Sequence, residues 1–460
     1  MTLWTSDEIA AATGGVANAA FTTTGIAFDS REVGEGDLFV ALTGEETDGH
    51  RFLSGAYENG AAGALVSTPT SYPSVCVPDT MAALEQLGRA ARARADAVVI
   101  GVTGSVGKTG TKEALAAALD RAHPGRVHWS VKSYNNHTGV PLSLARMPRT
   151  TEFGVFEMGM NHAGELTALT HMVRPHVALV TAIAPAHTAF FSGEEAIADA
   201  KGEIFQGLMP GGTAIVPFDS PHRDRLIAAA RPHAARVVTF GLGKDADVRA
   251  IDTMRLSTGG TFVTARVHHR ELSCTIAQPG AHWVSNALAV MAAVDAAGGD
   301  LGLAGLALAE MGGLPGRGQR FMAPVPGGTA LVIDESYNAN PVSMRATLNV
   351  LAHEDRRRIA VLGGMRELGD ESAGYHAGLA GPIDEAKLSC VILVGDEMQP
   401  LAQALEGRTE FVHVADAAAA RDRLAAVLAA GDAVLIKGSN GIGLSAVVAA
   451  LADRAVAGVV

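Results

Sequence analysis

A glycine-rich turn followed by lysine and threonine has the clearest chemical potential in this chain. The apolar run Val98–Thr103 leads into Gly104-Ser105-Val106-Gly107-Lys108-Thr109, and a helical pattern continues through Leu115. A strand, a turn and a helix in this order offer backbone N–H groups and a positive helix end to an anion. Lys108 would reach the outer phosphates of a nucleotide, and the Thr109 hydroxyl would hold Mg²⁺. The spacing therefore predicts a phosphate-binding loop.

The spacing is one residue off the usual nucleotide-binding pattern. That pattern would place its first glycine where Val102 stands, and Gly101 comes one position too early. What remains is the compact order Thr-Gly-x-x-Gly-Lys-Thr. The alternative is a glycine-rich turn that binds nothing, but a lysine followed by a threonine at a helix start has no packing role.

Two further side chains follow apolar runs that read as strands. Glu157 closes Phe153–Met158, and His187 comes shortly after Val177–Ile183. Ligands sit at the carboxyl ends of strands in open α/β sheets, so both side chains are expected near the loop. A carboxylate there can hold Mg²⁺, with a capping or surface glutamate as the alternative. A structural role for His187 is as well supported as a ligand role.

Three later residues have weaker signals when taken from the residues alone. Lys201 lies between Asp199 and Glu203, which is typical of a solvated helix residue. Arg317 follows a glycine and suits phosphate charge. Asp334 ends a strand and could bind a ribose hydroxyl.

Alternating strand and helix patterns must position these residues. Residues 1–96 read as a small α/β unit, residues 97–326 as strands that alternate with helices, and residues 327–460 as a second doubly wound unit. This alternation predicts mostly parallel sheets. Residues 247–276 alternate β-branched and polar side chains and should be antiparallel.

Length and composition limit the class of protein. A chain of 460 residues exceeds one hydrophobic core, and its net charge of −12 argues against general nucleic-acid binding. Cys76, Cys274 and Cys390 are too sparse for a disulfide framework and lack metal-ligand spacing. No apolar run is long enough to span a membrane, and the N-terminus has no basic segment. We expect a cytoplasmic protein without membrane insertion.

Taken together, these motifs resemble the Mur ligase family, the ATP-dependent amino-acid ligases of peptidoglycan synthesis, over essentially the whole chain. The compact loop is that family's phosphate loop. Other residues fall in the family's order: Glu157, His187, Lys201, His282 with Asn286, Arg317 and Asp334. The resemblance implies three α/β domains: a UDP-substrate domain (1–96), a central ATPase domain with a mostly parallel sheet (97–326) and a C-terminal Rossmann-like domain (327–460).

Within the family, Asp29-Ser30-Arg31 resembles the UDP-binding first domain that the two later ligases share. Two further segments resemble the members that add D-alanyl-D-alanine to UDP-N-acetylmuramoyl-tripeptide: Asn135-Asn136-x-x-Gly139-Val140-Pro141 and Tyr337-Asn338-Ala339-Asn340-Pro341. The resemblance implies that the tripeptide carboxylate attacks ATP to give an acyl phosphate, from which the dipeptide amine displaces phosphate. The residues expected to bind these substrates are Ser30, Arg31, Asn135, Asn136 and Asn340.

The same resemblance implies the cofactors and their ligands. ATP would be held by Gly104, Ser105, Val106, Gly107, Lys108, Thr109, His282, Asn286, Arg317 and Asp334. Two Mg²⁺ ions would be held by Thr109, Glu157, His187 and a carbamylated Lys201. The catalytic set would be Lys108, His187, Lys201 and Arg317. Two departures are Trp283, where many members have asparagine, and Ala184-Pro185, which replaces an asparagine-containing turn.

Alternatives remain open at this stage. The chain could be another ligase of the family that adds a different amino acid, or an inactive nucleotide-binding paralogue. A folate-polyglutamating relative is disfavoured, because it would lack a first unit like residues 1–96. We expect a monomer.

Overall fold

Three groups of strands and helices follow one another along the chain, and each forms its own main sheet. The computed structural model describes residues 2–44, 47–185, 189–257 and 259–457. The first group comprises β1 (Trp4–Thr5), α1 (Ser6–Thr13), β2 (Val16–Ala17), β3 (Thr22–Thr23), β4 (Gly25–Ala27), β5 (Asp37–Val40), α2 (Leu53–Glu58), β6 (Gly63–Val66), β7 (Ser74–Cys76) and α3 (Thr80–Arg94).

In this first group, β2-β7-β6-β5-β4 form one sheet, parallel except for the β2–β7 pair. Strands β1 and β3 pair separately. Helix α1 begins with the reciprocal hydrogen bonds of Thr5 and Glu8, which satisfy two free N–H groups of its first turn.

The central group carries the predicted phosphate loop. Its elements are β8 (Val98–Thr103), α4 (Lys108–Ala122), β9 (Val127–Trp129), α5 (Gly139–Ala145), β10 (Phe153–Glu157), α6 (Glu165–Val173), β11 (Val177–Val180), α7 (Glu194–Gly202), β12 (Thr213–Pro217), α8 (Arg223–Ala230), β13 (Arg236–Gly241), β14 (Val248–Arg255), β15 (Thr261–Val267), β16 (Arg270–Ile276), α9 (Ala281–Ala296) and α10 (Leu301–Glu310).

The central strands form one sheet in the order β16-β15-β14-β13-β12-β11-β8-β10-β9. Pairs from β9 to β14 are parallel, and β14, β15 and β16 are antiparallel, as the sequence predicts. Strand β8 lies between β10 and β11, with Glu157 beside Val102 and Val180 beside Thr103. The carboxyl ends of these three strands therefore meet at the glycine-rich turn.

Apolar packing on both faces fixes this sheet. One face packs against α4, α9 and α10, and the other packs against α6 and α7. Helix α9 is apolar around most of its circumference, as its burial requires, and Ala287–Val294 is buried throughout.

The third group comprises β17 (Gln319–Val325), β18 (Gly328–Glu335), α11 (Pro341–Ala352), β19 (Arg358–Gly363), α12 (Ser372–Ala377), α13 (Ala380–Glu385), β20 (Cys390–Val394), α14 (Gln399–Leu405), β21 (Phe411–Val414), α15 (Ala417–Val427), β22 (Ala433–Lys437) and α16 (Ser445–Ala457). Its strand order is β17-β18-β22-β19-β20-β21, with only the β17–β18 pair antiparallel among the described strands. Strand β17 thus joins the third sheet although it precedes the expected boundary at residue 326.

Short 3₁₀ turns connect several elements, at Ser30–Glu32, Gly49–Phe52, Glu203–Gly207, Gly369–Glu371, Asp396–Met398 and Asn440–Ile442. Among the helices of the described ranges, none is long and apolar enough to cross a bilayer.

Candidate active site

The glycine-rich turn adopts a fixed shape at the end of β8. Gly104 has φ +148°, and a Cβ there would lie 1.9 Å from Thr181 Oγ1, so only glycine fits. The Thr181 hydroxyl donates a 2.6 Å hydrogen bond to the carbonyl of Val106, and the Ser105 N–H donates to the carbonyl of Ala182 at 2.8 Å. Helix α4 begins at Lys108. The strand, loop and helix predicted from the sequence are therefore present, pinned against the end of β11.

Lys108 bends back over this loop. Its Nζ donates a 2.8 Å hydrogen bond to the carbonyl of Gly104. Burial lowers the pKa of Lys108, the Glu157 carboxylate opposes that shift, and Arg317 adds to it. The three charges influence one another because they share one site.

Two buried oxygen atoms at this site lack protein partners. Oε2 of Glu157 and Oγ of Ser105 accept and donate no hydrogen bond among the described residues. Burying such a group unpaired is costly, so both atoms are suited to an additional ligand. The other Glu157 oxygen, Oε1, accepts a 2.7 Å hydrogen bond from Asn135 Nδ2. The Glu157 carboxylate and the Thr109 hydroxyl supply oxygen donors of the kind that fits Mg²⁺.

Lys201 does not face solvent, so the interpretation drawn from its acidic neighbours is wrong. It lies in the last turn of α7, is 1% exposed, and has no carboxylate within 4 Å among the described side chains. Burial, reinforced by Lys108, lowers the pKa of Lys201 well below its ordinary value. His187, predicted beside it, lies outside the described residues. The described part of the chain holds no cluster of three or more histidine, cysteine, aspartate or glutamate side chains suited to a metal.

Arg317 reaches the site from the linker before β17. Its guanidinium stacks on the Tyr337 ring at 4.1 Å and donates a 3.1 Å hydrogen bond to Ser133 Oγ. Asp334 supports this linker, because its Oδ2 accepts from the Gly316 N–H at 2.7 Å. Its Oδ1 accepts from the N–H and the hydroxyl of Ser336 at 3.0 and 2.7 Å. The ribose contact of Asp334 stays a prediction, and its observed role is to shape the Arg317 loop.

The first turns of α9 contact the phosphate loop. A Cβ at Gly107 would lie 2.8 Å from Asn286 Oδ1, and one at Gly110 would lie 2.9 Å from the Trp283 ring. Burial lowers the pKa of His282 to about 4, and Lys437 adds to the effect. The helix thus brings an amide and an indole to the nucleotide loop, whereas the His282 imidazole lies on the side of Arg320 and Glu335.

The predicted substrate residues lie in several places. In the first unit, Arg31 is exposed and pairs with Asp29, whose pKa it lowers to about 2. The carbonyl of Ser30 accepts from Asn59 at 2.9 Å. Asn136 Oδ1 accepts from the N–H of Gly139, the first residue of α5, and Asn340 Oδ1 caps α11 by accepting from the Ser343 N–H, both at 2.9 Å. Substrate contacts of these residues stay predictions.

Sequence reasoning missed three residues that organise the site. Thr181 pins the loop, Lys112 holds the carbonyls of the segment at 130–132, and Ser133 contacts Arg317. Of these three, Ser133 alone has a local sequence signal, because it lies two positions before the predicted substrate residue Asn135.

Family models match most of the chain. Residues 22–121 match "Mur ligase family, catalytic domain", residues 102–294 match "Mur ligase middle domain", and residues 316–440 match "Mur ligase, glutamate ligase domain".

Known proteins resemble the chain over nearly its whole length. It is 33% identical over 446 residues to UDP-N-acetylmuramoyl-tripeptide–D-alanyl-D-alanine ligase of Escherichia coli, covering 96% of each chain. The solved structure of MurF from Acinetobacter baumannii superposes with a TM-score of 0.84 at 31% identity, covering 97% of this chain and 98% of that one. MurF ligase from Thermotoga maritima in complex with ADP gives 0.78 at 25% identity, covering 94% and 98%.

Proposed function

Because the chain belongs to the Mur ligase family, we propose that it is an ATP-dependent ligase that joins D-alanyl-D-alanine to UDP-N-acetylmuramoyl-tripeptide. The product is a precursor of peptidoglycan. The observation that carries this proposal is the 33% identity, over 96% of both chains, to a ligase named for that reaction. The meeting of Lys108, Glu157 and Arg317 at the end of one sheet supplies the required charges.

The reaction proceeds in two steps. A carboxylate oxygen of the tripeptide attacks the γ-phosphorus of ATP, the bond to the β–γ bridging oxygen breaks, and ADP leaves with that electron pair. The dipeptide amine then attacks the acyl phosphate carbon, loses a proton, and expels inorganic phosphate from the tetrahedral intermediate. Negative charge accumulates on phosphoryl oxygens in both steps, which makes fixed cations the main requirement.

This chain's residues provide those cations and hold the nucleotide. Lys108 exchanges its hydrogen bond with the Gly104 carbonyl for a phosphate oxygen. Arg317, oriented by the Tyr337 ring and Ser133, neutralises the transferring group. The N–H groups of the loop and of the first turn of α4 bind the remaining phosphate oxygens. Asn286 and His282 contact the nucleoside.

Magnesium fits the donors at this site. When bound, two Mg²⁺ ions neutralise phosphoryl charge and orient the γ-phosphate. Thr109 and the unpartnered Oε2 of Glu157 would hold one ion. His187 and a carbamylated Lys201 would hold the other.

The environment of Lys201 supports carbamylation. Burial lowers the pKa of this amine and so favours its neutral form, whose lone pair attacks CO₂. The N–C bond forms, the nitrogen loses one proton, and the product carries a negative charge on two oxygens. The change converts a cation that would repel Mg²⁺ into an oxygen ligand of the kind Mg²⁺ prefers.

Substrates other than ATP approach from the flanking units. Arg31 and Ser30 bind the UDP group, and Asn135, Asn136 and Asn340 lie towards the peptide. Movement of the three units closes the site and brings acyl carbon and amine together. We propose that the protein acts as a monomer and that it works in the cytoplasm, where its nucleotide substrates are made.

A panel of amines tests the proposal. Phosphate release is measured with the purified protein, ATP, Mg²⁺ and UDP-N-acetylmuramoyl-tripeptide, with D-alanyl-D-alanine, D-alanine, L-lysine or diaminopimelate as the amine. We expect release only with the dipeptide. Release with a single amino acid instead would identify another ligase of the family, and no release with any amine would contradict the proposal.

A further inference from the structure

The hydroxyl of Ser133 joins two parts of the site that come from different units. Its Oγ lies 3.5 Å from Thr109 Oγ1, in the first turn of α4, and accepts a 3.1 Å hydrogen bond from Arg317 of the linker before β17. Thr109 is a candidate Mg²⁺ ligand, and Arg317 is the candidate cation for the transferring phosphate. A single oxygen therefore contacts a residue on each side of the reacting group.

The hydrogen-bonding capacity of a hydroxyl fixes what this oxygen can do. A serine hydroxyl has one donor and two acceptor positions. Arg317 occupies one acceptor position, because a guanidinium only donates. When the lone pairs of the Thr109 hydroxyl coordinate a cation, its hydrogen must be donated to another acceptor. Ser133 Oγ is the neighbouring acceptor. The hydrogen of Ser133 is then free for a phosphoryl oxygen.

Ser133 is held in place by a buried lysine. Lys112 is completely buried, and its Nζ donates to the carbonyls of Ser130 and Lys132 at 2.6 and 2.8 Å. Lys132 has φ +53°, a conformation that non-glycine residues adopt at a cost, and these bonds maintain it. On the outer side, Lys132 and Tyr134 both bond to the Glu32 carboxylate of the first unit. The segment is thus fixed at both sides of Ser133.

From this geometry we propose that Ser133 is a positioning residue of the ligation reaction. It sets the Thr109 hydroxyl for the metal and the Arg317 guanidinium for the phosphoryl group, and it makes the placement of each depend on the other. This rests on the proposed function for the roles of Thr109 and Arg317.

Three variants of the full-length protein test the proposal: Ser133→Ala, Ser133→Thr, which keeps a hydroxyl, and Ser54→Ala, an exposed serine of α2 remote from the site. For Ser133→Ala we expect kcat to fall 10- to 100-fold and the Mg²⁺ concentration for half-maximal rate to rise about tenfold, as for other residues that orient metal ligands. The KM for the UDP-linked substrate should stay within twofold of wild type. Ser133→Thr should recover most of both losses, and Ser54→Ala should behave as wild type.

A double-mutant cycle with Arg317→Lys adds a readout that misfolding does not produce. If Ser133 acts through Arg317, the two losses in kcat will combine to much less than their product. Fully multiplicative losses, or a Ser133→Ala protein with wild-type kcat and Mg²⁺ dependence, would overturn the proposal. Failure of the proposed function is distinguishable, because the wild-type protein would then show no dipeptide-dependent phosphate release.

Discussion

The side-chain amide of Asn135 donates a 2.7 Å hydrogen bond to one oxygen of Glu157, and the other oxygen is buried without a partner among the described residues. The backbone reinforces this arrangement, since the Glu157 N–H donates to Ser130 Oγ at 3.2 Å. Because Oε1 of Glu157 is hydrogen-bonded and Oε2 is not, the carboxylate is already oriented for binding a cation through Oε2. Asn135, predicted as a substrate residue, therefore also orients Glu157, a predicted Mg²⁺ ligand.

Replacing Asn135 with alanine should weaken Mg²⁺ activation. The Glu157 carboxylate would lose its fixed orientation, and we expect the Mg²⁺ concentration for half-maximal ligation to rise about 10- to 100-fold. Titration of Mg²⁺ at saturating substrates measures the effect. Asn349→Ala, on the exposed face of α11, is the matched control and should leave the titration unchanged. An unaltered Mg²⁺ requirement in Asn135→Ala would separate this pair from the metal.

Lys108→Ala should remove most turnover and preserve the fold. The phosphoryl charge would lose its nearest fixed cation, and loss of one such stabilising group costs at least about 100-fold in kcat. Circular dichroism and thermal melting establish that the variant is folded, and coupled ADP release measures the rate. A folded Lys108→Ala protein with near wild-type activity would show that this loop is not the catalytic one.

The sequence predicts the sheets better than it predicts the contacts between units. The alternation of apolar runs and helical patterns is local, so β8, β10 and β11 and the loop after β8 follow from it. Strand β17 was missed because Gln319–Val325 contains a proline and follows a glycine-rich stretch, and only its pairing with β18 makes it a strand.

The direction of the Lys201 side chain could not be predicted from its sequence neighbours either. Asp199 and Lys201 are two residues apart on α7, so they point to nearly opposite sides of the helix. Asp199 pairs outward with Arg225, and Lys201 faces the interior. The Ser133–Arg317 contact depends on how the linker folds back onto the central unit, which no spacing along the chain encodes.

Arg31→Ala should weaken binding of the UDP-linked substrate without changing ADP affinity. Arg31 is exposed in a unit separate from the phosphate loop, and loss of a hydrogen bond to a charged group costs about 10- to 100-fold in affinity. Calorimetric titration with each ligand measures the two affinities. Arg223→Ala removes a partly exposed arginine that likewise pairs with a nearby aspartate, and it should alter neither. Equal weakening of both ligands would contradict separate sites.

His128 should make the fold sensitive to mild acid. Burial lowers its pKa to about 4, while its Nε2 stays 2.7 Å from the carbonyl of Ser143. As pH falls below 6.5, His128 is protonated in the unfolded chain but stays neutral in the folded chain. The free energy of unfolding therefore decreases between pH 6.5 and 4. His128→Gln should lose about 2 kcal/mol less, or about 4–8 °C less in Tm, than wild type between pH 7 and 5.

The exposed His233→Gln variant is the control for this measurement, and its pH dependence should match wild type. If His128→Gln loses as much stability between pH 7 and 5 as wild type does, His128 is not the group that titrates.

Lys201→Ala should abolish activity, although Lys201 makes no ion pair with any described side chain. If the buried amine is carbamylated, the substitution removes an anionic oxygen ligand and leaves a cavity of the size that a small carboxylate fills. Added acetate should therefore restore part of the rate by supplying the oxygen. Lys244→Ala, which removes an exposed lysine, should retain full activity and show no response to acetate.

The wild-type enzyme should show a matching dependence on CO₂ and pH. The lowered pKa of Lys201 favours the neutral, reactive amine, whereas acid protonates the nitrogen and releases CO₂ from the carbamate. We expect activity to fall after incubation at low pH in CO₂-depleted buffer and to return on adding bicarbonate at neutral pH. Lys201→Ala rescued by acetate should be indifferent to bicarbonate, because it has no amine to modify. Full activity of Lys201→Ala without any additive would refute the carbamate, as would a bicarbonate response that persists in that variant.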